Sequence, residues 1–228
     1  MLEFFTFALI VMAAGTPFII LHLRAQRERE ALARSWAAAR GCTYSESNLA
    51  MLPYLPGAPV IGPRSKVTEC IEGETPGGHS FCSFKFAYQI SSIPGATNAV
   101  SGAAVMVRLP AVLPELSLMH EALDDKLDKL FGAQDIELES DAFNRLFRVE
   151  SPNEAFAYGV LHPRMMEWIM SEGRGMVPFY IRGQELICWG GTEPDYATLD
   201  AQLETMCAFV DQIPQVVFEQ YSQPLALG

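Results

Sequence analysis

The pattern of apolar and polar positions divides the chain near residue 23. Phe4 to Leu23 (FFTFALIVMAAGTPFIILHL) is a 20-residue run without Asp, Glu, Lys or Arg. At about 1.5 Å per helical residue it matches the roughly 30 Å hydrocarbon thickness of a bilayer, so the pattern predicts a transmembrane helix over residues 1–23, kinked near Pro17. Residues 24–41 predict a basic juxtamembrane helix that continues the first as a rigid stalk. Leu32, Trp36 and Ala39 share a face, Glu30 and Arg34 pair at i,i+4, and Gly41 caps the end.

Residues 42–228 read as one α+β domain, an antiparallel sheet covered by helices. Residues 51–63 hold four prolines and two glycines and predict an ordered loop. Lys66 to Gly73 and His79 to Ile90 read as a hairpin around 74–78. Within the second strand Cys82, Phe84, Phe86 and Tyr88 alternate with Phe81, Ser83, Lys85 and Ala87, which makes one face richly apolar. Val100 to Leu109 follows a turn at Pro94-Gly95, and Pro110 and Pro114 predict a break before a fourth strand over Leu116 to His120. Such a run of neighbours is a meander.

From Glu121 the period turns helical, with Leu123, Leu127 and Leu130 on one face. Asp135 to Glu139 predicts a short strand, and Ser140 or Asp141 caps a brief helix through Phe147. Ser151-Pro152-Asn153-Glu154 reads as a capping box, and His162-Pro163 separates the helix it opens from a second one ending at Gly173. Met176 to Ile181 and Glu185 to Trp189 read as a hairpin around Arg182-Gly183-Gln184. Tyr196, Leu199, Leu203, Met206, Val210 and Ile213, spaced 3, 4, 3, 4 and 3, predict a C-terminal amphipathic helix capped by Thr192 and kinked at Pro214.

Charge sharpens the partition. Arg24, Arg27, Arg29, Arg34 and Arg40 face only Glu28 and Glu30 within the stalk, whereas the body is strongly acidic within an overall net charge of −11. The positive-inside rule then places the chain in a cell membrane as a single-pass protein, N-terminus outside and C-terminal domain cytoplasmic. Arg24, Arg27 and Arg29 become a membrane-surface collar for anionic lipid headgroups, and the acidic body argues against nucleic acid.

No catalytic residue, metal site or cofactor is expected. Cys42, Cys70, Cys82, Cys188 and Cys207 form no CxxC pair, and no GxSxG, Walker loop, GxGxxG before a helix or HExxH occurs. The carboxylates of Asp135, Glu137, Glu139 and Asp141 resemble an EF-hand opening, yet Ser140 stands where its glycine is required and Leu146 where its terminal glutamate is. His79, His120 and His162 are candidate bases outside any catalytic pattern. Met165, Met166, Trp168 and Met170 form a soft apolar cluster that suits a partner surface if it is exposed.

The segment DIELESDAFNRLFRVESPNEAFAYGVLHPRMMEW, Asp135 to Trp168, resembles a group of actinobacterial single-pass membrane-anchored proteins, matched at Asn144, Phe147, Pro163 and Trp168. That resemblance implies an N-terminal span, a helix and a β meander, and brings no activity. The expected function is a non-enzymatic accessory or assembly subunit of a larger membrane protein complex, respiratory or transport, with other membrane subunits as partners. The alternative is a lipid or small-ligand binding module.

Overall fold

A computed structural model describes residues 21, 23–55, 65–93, 96–120, 136–176 and 178–222. Residues 23–39 are helical (α1) and end in a left-handed Gly41, φ +69°, where the missing side chain lets the chain reverse into β1 (Thr43–Ser47). A 3-10 turn (Leu49–Tyr54) follows, then β2 (Lys66–Glu74), β3 (Ser80–Ile93) and β4 (Ala96–His120). After α2 (Asp141–Asn144) come β5 (Phe147–Glu150), α3 (Glu154–Val160) and α4 (Pro163–Ser171). The chain then forms β6 (Phe179–Gly190), α5 (Leu199–Gln212) and α6 (Gln215–Tyr221).

The six strands form one antiparallel sheet in the order β1-β2-β3-β4-β5, with β6 on the other edge of β4. β4 is 25 residues long. Its first half pairs with β3, its last residues pair with β5, and β6 runs along its opposite edge from Leu118↔Phe179 to Ala103↔Gly190.

Alternation on these strands sends side chains into two separate cores. One holds Phe84, Phe86, Tyr88, Met106, Tyr180 and Ile187 beneath Leu52 and Leu55 of the 3-10 turn. The other lies beneath the helices, where Val105, Val107, Leu116 and Leu118 meet Phe156, Met165, Ile169, Met206 and Phe209. A sheet covered on both faces needs apolar residues at consecutive positions, and Ala103 to Val107 are all buried. The apolar face of β3 is thus as expected, and so is the α5 stripe from Leu199 through Leu203, Met206 and Val210 to Ile213, all buried. But α5 starts at Leu199 after Thr198, not at Thr192, which leaves Tyr196 in the preceding loop, and Pro214 separates α5 from α6 instead of kinking one helix.

Several expectations are corrected. No helix among the described residues is long and apolar enough to cross a membrane. Only Leu21 and Leu23 of the Phe4 to Leu23 run are described, and the rest of that segment lies outside the described residues. α1 itself is charged on nearly every turn and buries Ala33, Trp36 and Ala37 against the protein's own sheet, so it is part of the domain and no stalk. The fold class of the described residues is therefore an antiparallel sheet covered by helices, without the expected transmembrane helix. The placement as a single-pass cell-membrane protein with a cytoplasmic body rests on that helix and falls with it.

Smaller corrections share a cause. Pro110 and Pro114 do not end β4, and Gly183 does not turn a hairpin. Leu113 pairs with Gly183, and the register slips on both sides of that pair. Bulges absorb prolines and left-handed glycines alike, so two uninterrupted strands replace the four short segments expected. β1 and β5 were not anticipated, and 136–138 form no strand although Ile136 N–H donates to the Val149 carbonyl at 2.8 Å. Asn153, not Ser151, caps α3, its side chain accepting from Phe156 N–H at 3.0 Å. Leu32 and Ala39 face outward, and Arg34 pairs with Glu46 at 2.8 Å instead of Glu30. The helix expected from Glu121 lies outside the described residues.

Gly183 has φ +61° and open space where a Cβ would stand, so backbone strain is the whole cost of replacing it. Gly183→Val is expected to lower the unfolding free energy by about 1–3 kcal/mol in denaturant titration. Gly183→Asn should cost less, because asparagine tolerates the left-handed region.

Candidate functional site

Two charged residues stand between buried apolar neighbours of the sheet: Glu69 in β2 and Lys85 in β3. Glu69 sits in the bulge where the β2–β3 register slips between Thr68 and Ile71, and it is the described non-glycine residue with positive φ, +53°. A left-handed glutamate costs backbone energy, and here that conformation accompanies a side chain that is only 7% exposed. Lys85 Nζ reaches Glu193 Oε1 at 2.5 Å, and Arg29 Nη1 of α1 reaches the same oxygen at 3.1 Å. Tyr196 follows in the loop before α5, its ring 6.4 Å from that of Trp36.

This seam joins α1, the β2 bulge, β3 and the 191–198 loop around a buried Glu69 and the half-buried charges of Arg29, Lys85 and Glu193. Burial pushes the Glu69 carboxyl above its ordinary range, opposed by Lys85 and reinforced by Glu193. Burial likewise raises the Tyr196 phenol, with Glu69 adding to the effect. Arg29 Nε, Trp36 Nε1 and Glu193 Oε2 are buried without a hydrogen-bond partner, while the Tyr196 phenol and the Glu69 carboxyl lie close enough to interact, though not in good hydrogen-bond geometry. Each unpartnered group carries a desolvation cost of about 1–3 kcal/mol, so the seam is a polar weak point in an apolar fold.

A cleft of about 510 Å³ opens beside Glu193. Its floor is the 103–105 stretch of β4 with Cys188 and Gly190 of β6, and its far wall is the first turns of α5, Thr198 to Thr205. The bed is low because Ala103, Gly190 and Gly191 carry little side chain. A second cleft, about 730 Å³, lies on the other flank of α5 between Trp36, Phe81 and Leu203, rimmed by Glu74, Asp200 and Glu204. There Arg40 stacks on the Trp36 ring at 4.2 Å and clasps the Asp200 carboxylate, joining the end of α1 to the start of α5.

The residues singled out by sequence fall elsewhere. Met165 is fully buried, Met166 is 4% exposed, and Trp168 and Met170 are half-buried against the same core. A Cβ on Gly173 would stand 2.7 Å from the Trp168 ring, so this tryptophan lies flat on its own helix end. The cluster packs the domain rather than presenting a partner surface. Of the collar, Arg24 and Arg27 are exposed, while Arg29 is half-buried and paired with Glu193.

In the acidic stretch Glu137 and Glu139 face outward while Ile136 and Leu138 are buried; Asp135 lies outside the described residues. The Asn144 side chain pins Leu138, accepting from its N–H at 3.1 Å and donating to its carbonyl at 2.8 Å. His162 Nδ1 caps α4, His79 contacts Asp211 at 3.2 Å, and His120 packs on Phe147. Burial raises the thiols of Cys70, to about 11, and of Cys82 and Cys188, which keeps them protonated and poor nucleophiles at neutral pH. Among the described residues no three His, Cys, Asp or Glu side chains converge to hold a metal.

No protein family matches the sequence, and no curated protein matches it. Among solved structures it is similar to the crystal structure of the mycobacterial trehalose monomycolate transport factor A, TtfA. The TM-score is 0.54 at 14% identity, over 84% of this chain and 96% of that one. At that identity the likeness extends to the fold.

A raised carboxyl contributes stability that is complete below the ordinary glutamate pKa and is lost as pH rises through the folded value. Glu69→Gln should therefore gain in melting temperature on the parent as pH rises from the acid side to neutrality, read by scanning calorimetry across pH. Met166→Ala, cutting into the helix-side core, should lower the unfolding free energy by about 2–5 kcal/mol. The Met166→Ala, Trp168→Ala pair should likewise lower the melting temperature, an effect absent from a true surface patch.

Proposed function

We propose that this chain is a non-enzymatic accessory subunit of a lipid-transport assembly, acting by binding rather than by chemistry. The observation that carries this reading is the fold it has in common with TtfA, a transport factor for a lipid conjugate, over nearly the whole of both chains. Of the two expected hosts, respiratory and transport, the likeness favours transport.

The site chemistry points the same way. The histidines hold helix ends or pack against neighbours, and the buried thiols are protonated. The strained Glu69 is buried with Lys85 and Glu193 beside it, and Glu193, half-buried at the cleft edge, is already paired with Lys85 and Arg29. The open features are clefts of a size that suits small ligands, about 300–1,000 Å³.

The test is deletion of the gene in its own host, followed by pulse labelling of exported lipids and by affinity purification of the restored, tagged protein. A lipid species should accumulate short of its destination and recover on complementation, with a transporter co-purifying in fixed ratio. Unchanged lipid export together with a protein that purifies alone would sink the proposal.

A further inference from the structure

We infer that the 510 Å³ cleft between α5 and the β4–β6 end of the sheet binds a single-chain amphiphile whose headgroup is uncharged and rich in hydroxyls. This names the ligand class for the lipid-transport reading and rests on it.

The cleft is two-sided. On the sheet side Ala103, Val105 and Cys188, with Met176 and Leu199, make a smooth apolar bed. These residues are already largely covered, so the gain comes mainly from the alkyl chain, whose own apolar area leaves water at about 25 cal/mol per Å². On the helix side Thr198, Gln202 and Thr205 supply hydroxyls and an amide. The Thr198 hydroxyl already donates to Asp195 Oδ2 at 2.7 Å and that of Thr205 to the Ala201 carbonyl at 2.9 Å. Their oxygens are left as acceptors, the complement of a ligand that brings hydroxyl donors.

The charges argue for a neutral headgroup. The charged side chains lining the cleft are Glu193, whose charge Lys85 and Arg29 offset, and Asp195, so the wall offers an anionic headgroup no cation of its own. A cation gains little here, because Glu193 is already paired and Asp195 is exposed to water, where an ion pair contributes little. Glu193 carries Lys85 and Arg29 on one oxygen, and Asp195 accepts from Thr198 Oγ1 and from Ala197 N–H at 3.0 Å. Hydrogen bonding is the recognition that remains.

The full chain, labelled with ¹⁵N, is titrated with n-octyl β-D-glucoside, octanoate and octyltrimethylammonium, each below its micelle concentration. The glucoside should shift amides of 190–191 and 198–205 and saturate, with the two charged surfactants weaker by about tenfold or more. Ala201 is exposed on the cleft wall, so Ala201→Trp should abolish the shifts at an unchanged melting temperature. Gln202→Leu, a second route to the same loss, serves if the tryptophan destabilises the fold. Glu204→Ala, on the opposite flank of α5, should bind as the parent does.

Equal affinity for the three surfactants, shifts that map outside the cleft, or retained binding in both cleft variants would overturn the inference. Failure of binding alongside an intact export defect in the deletion strain overturns the site alone. Saturable binding in a strain with normal export overturns the transport reading instead.

Discussion

Everything in this fold hangs on β4. A flat strand of its 25 residues would reach roughly 80 Å at about 3.3 Å per residue, too long for one compact domain. It has to bend, and it bends where Pro110 and Pro114 interrupt the ladder and Gly183 of β6 takes up the slip. Bent in this way, one strand gives β3, β5 and β6 a common partner and turns its two faces to two different cores. The helices and the 3-10 turn are then coverings, placed by the apolar faces that β4 and its neighbours leave exposed.

Sequence reasoning succeeded where one period governed a segment. The alternation of Cys82, Phe84, Phe86 and Tyr88 and the 3, 4, 3 stripe of α5 each report a single buried face, and both are found as read. It failed where punctuation carries two meanings. Proline pairs and Arg-Gly-Gln read as breaks and turns, but within a wide sheet they are bulges, and no local signal separates the two. The basic stretch after the N-terminal apolar run reads locally as a membrane collar, and no local signal shows that one of its members, Arg29, also engages a distant glutamate.

The charged seam was beyond local reading because Arg29, Glu69, Lys85 and Glu193 come from four separate segments. A trace of it was nonetheless present. Glu69 lies between Val67 and Ile71, and Lys85 between Phe84 and Phe86, each flanked by buried apolar residues. A charge so flanked has to find a counter-charge inside the fold, and two of them on adjacent strands point to one shared site. The methionine cluster gave the opposite error: soft apolar residues at helical spacing served the core, with Met165 fully covered.

α5 stands between the two clefts, with Thr198, Gln202 and Thr205 on one flank and Asp200, Leu203 and Glu204 on the other. A wall common to two rooms cannot shift toward one without enlarging the other. Any occupant that wedges the glutamine side open therefore squeezes the tryptophan side and presses on the clasp between Arg40 and Asp200, so the two cavities compete for the same few degrees of helix tilt.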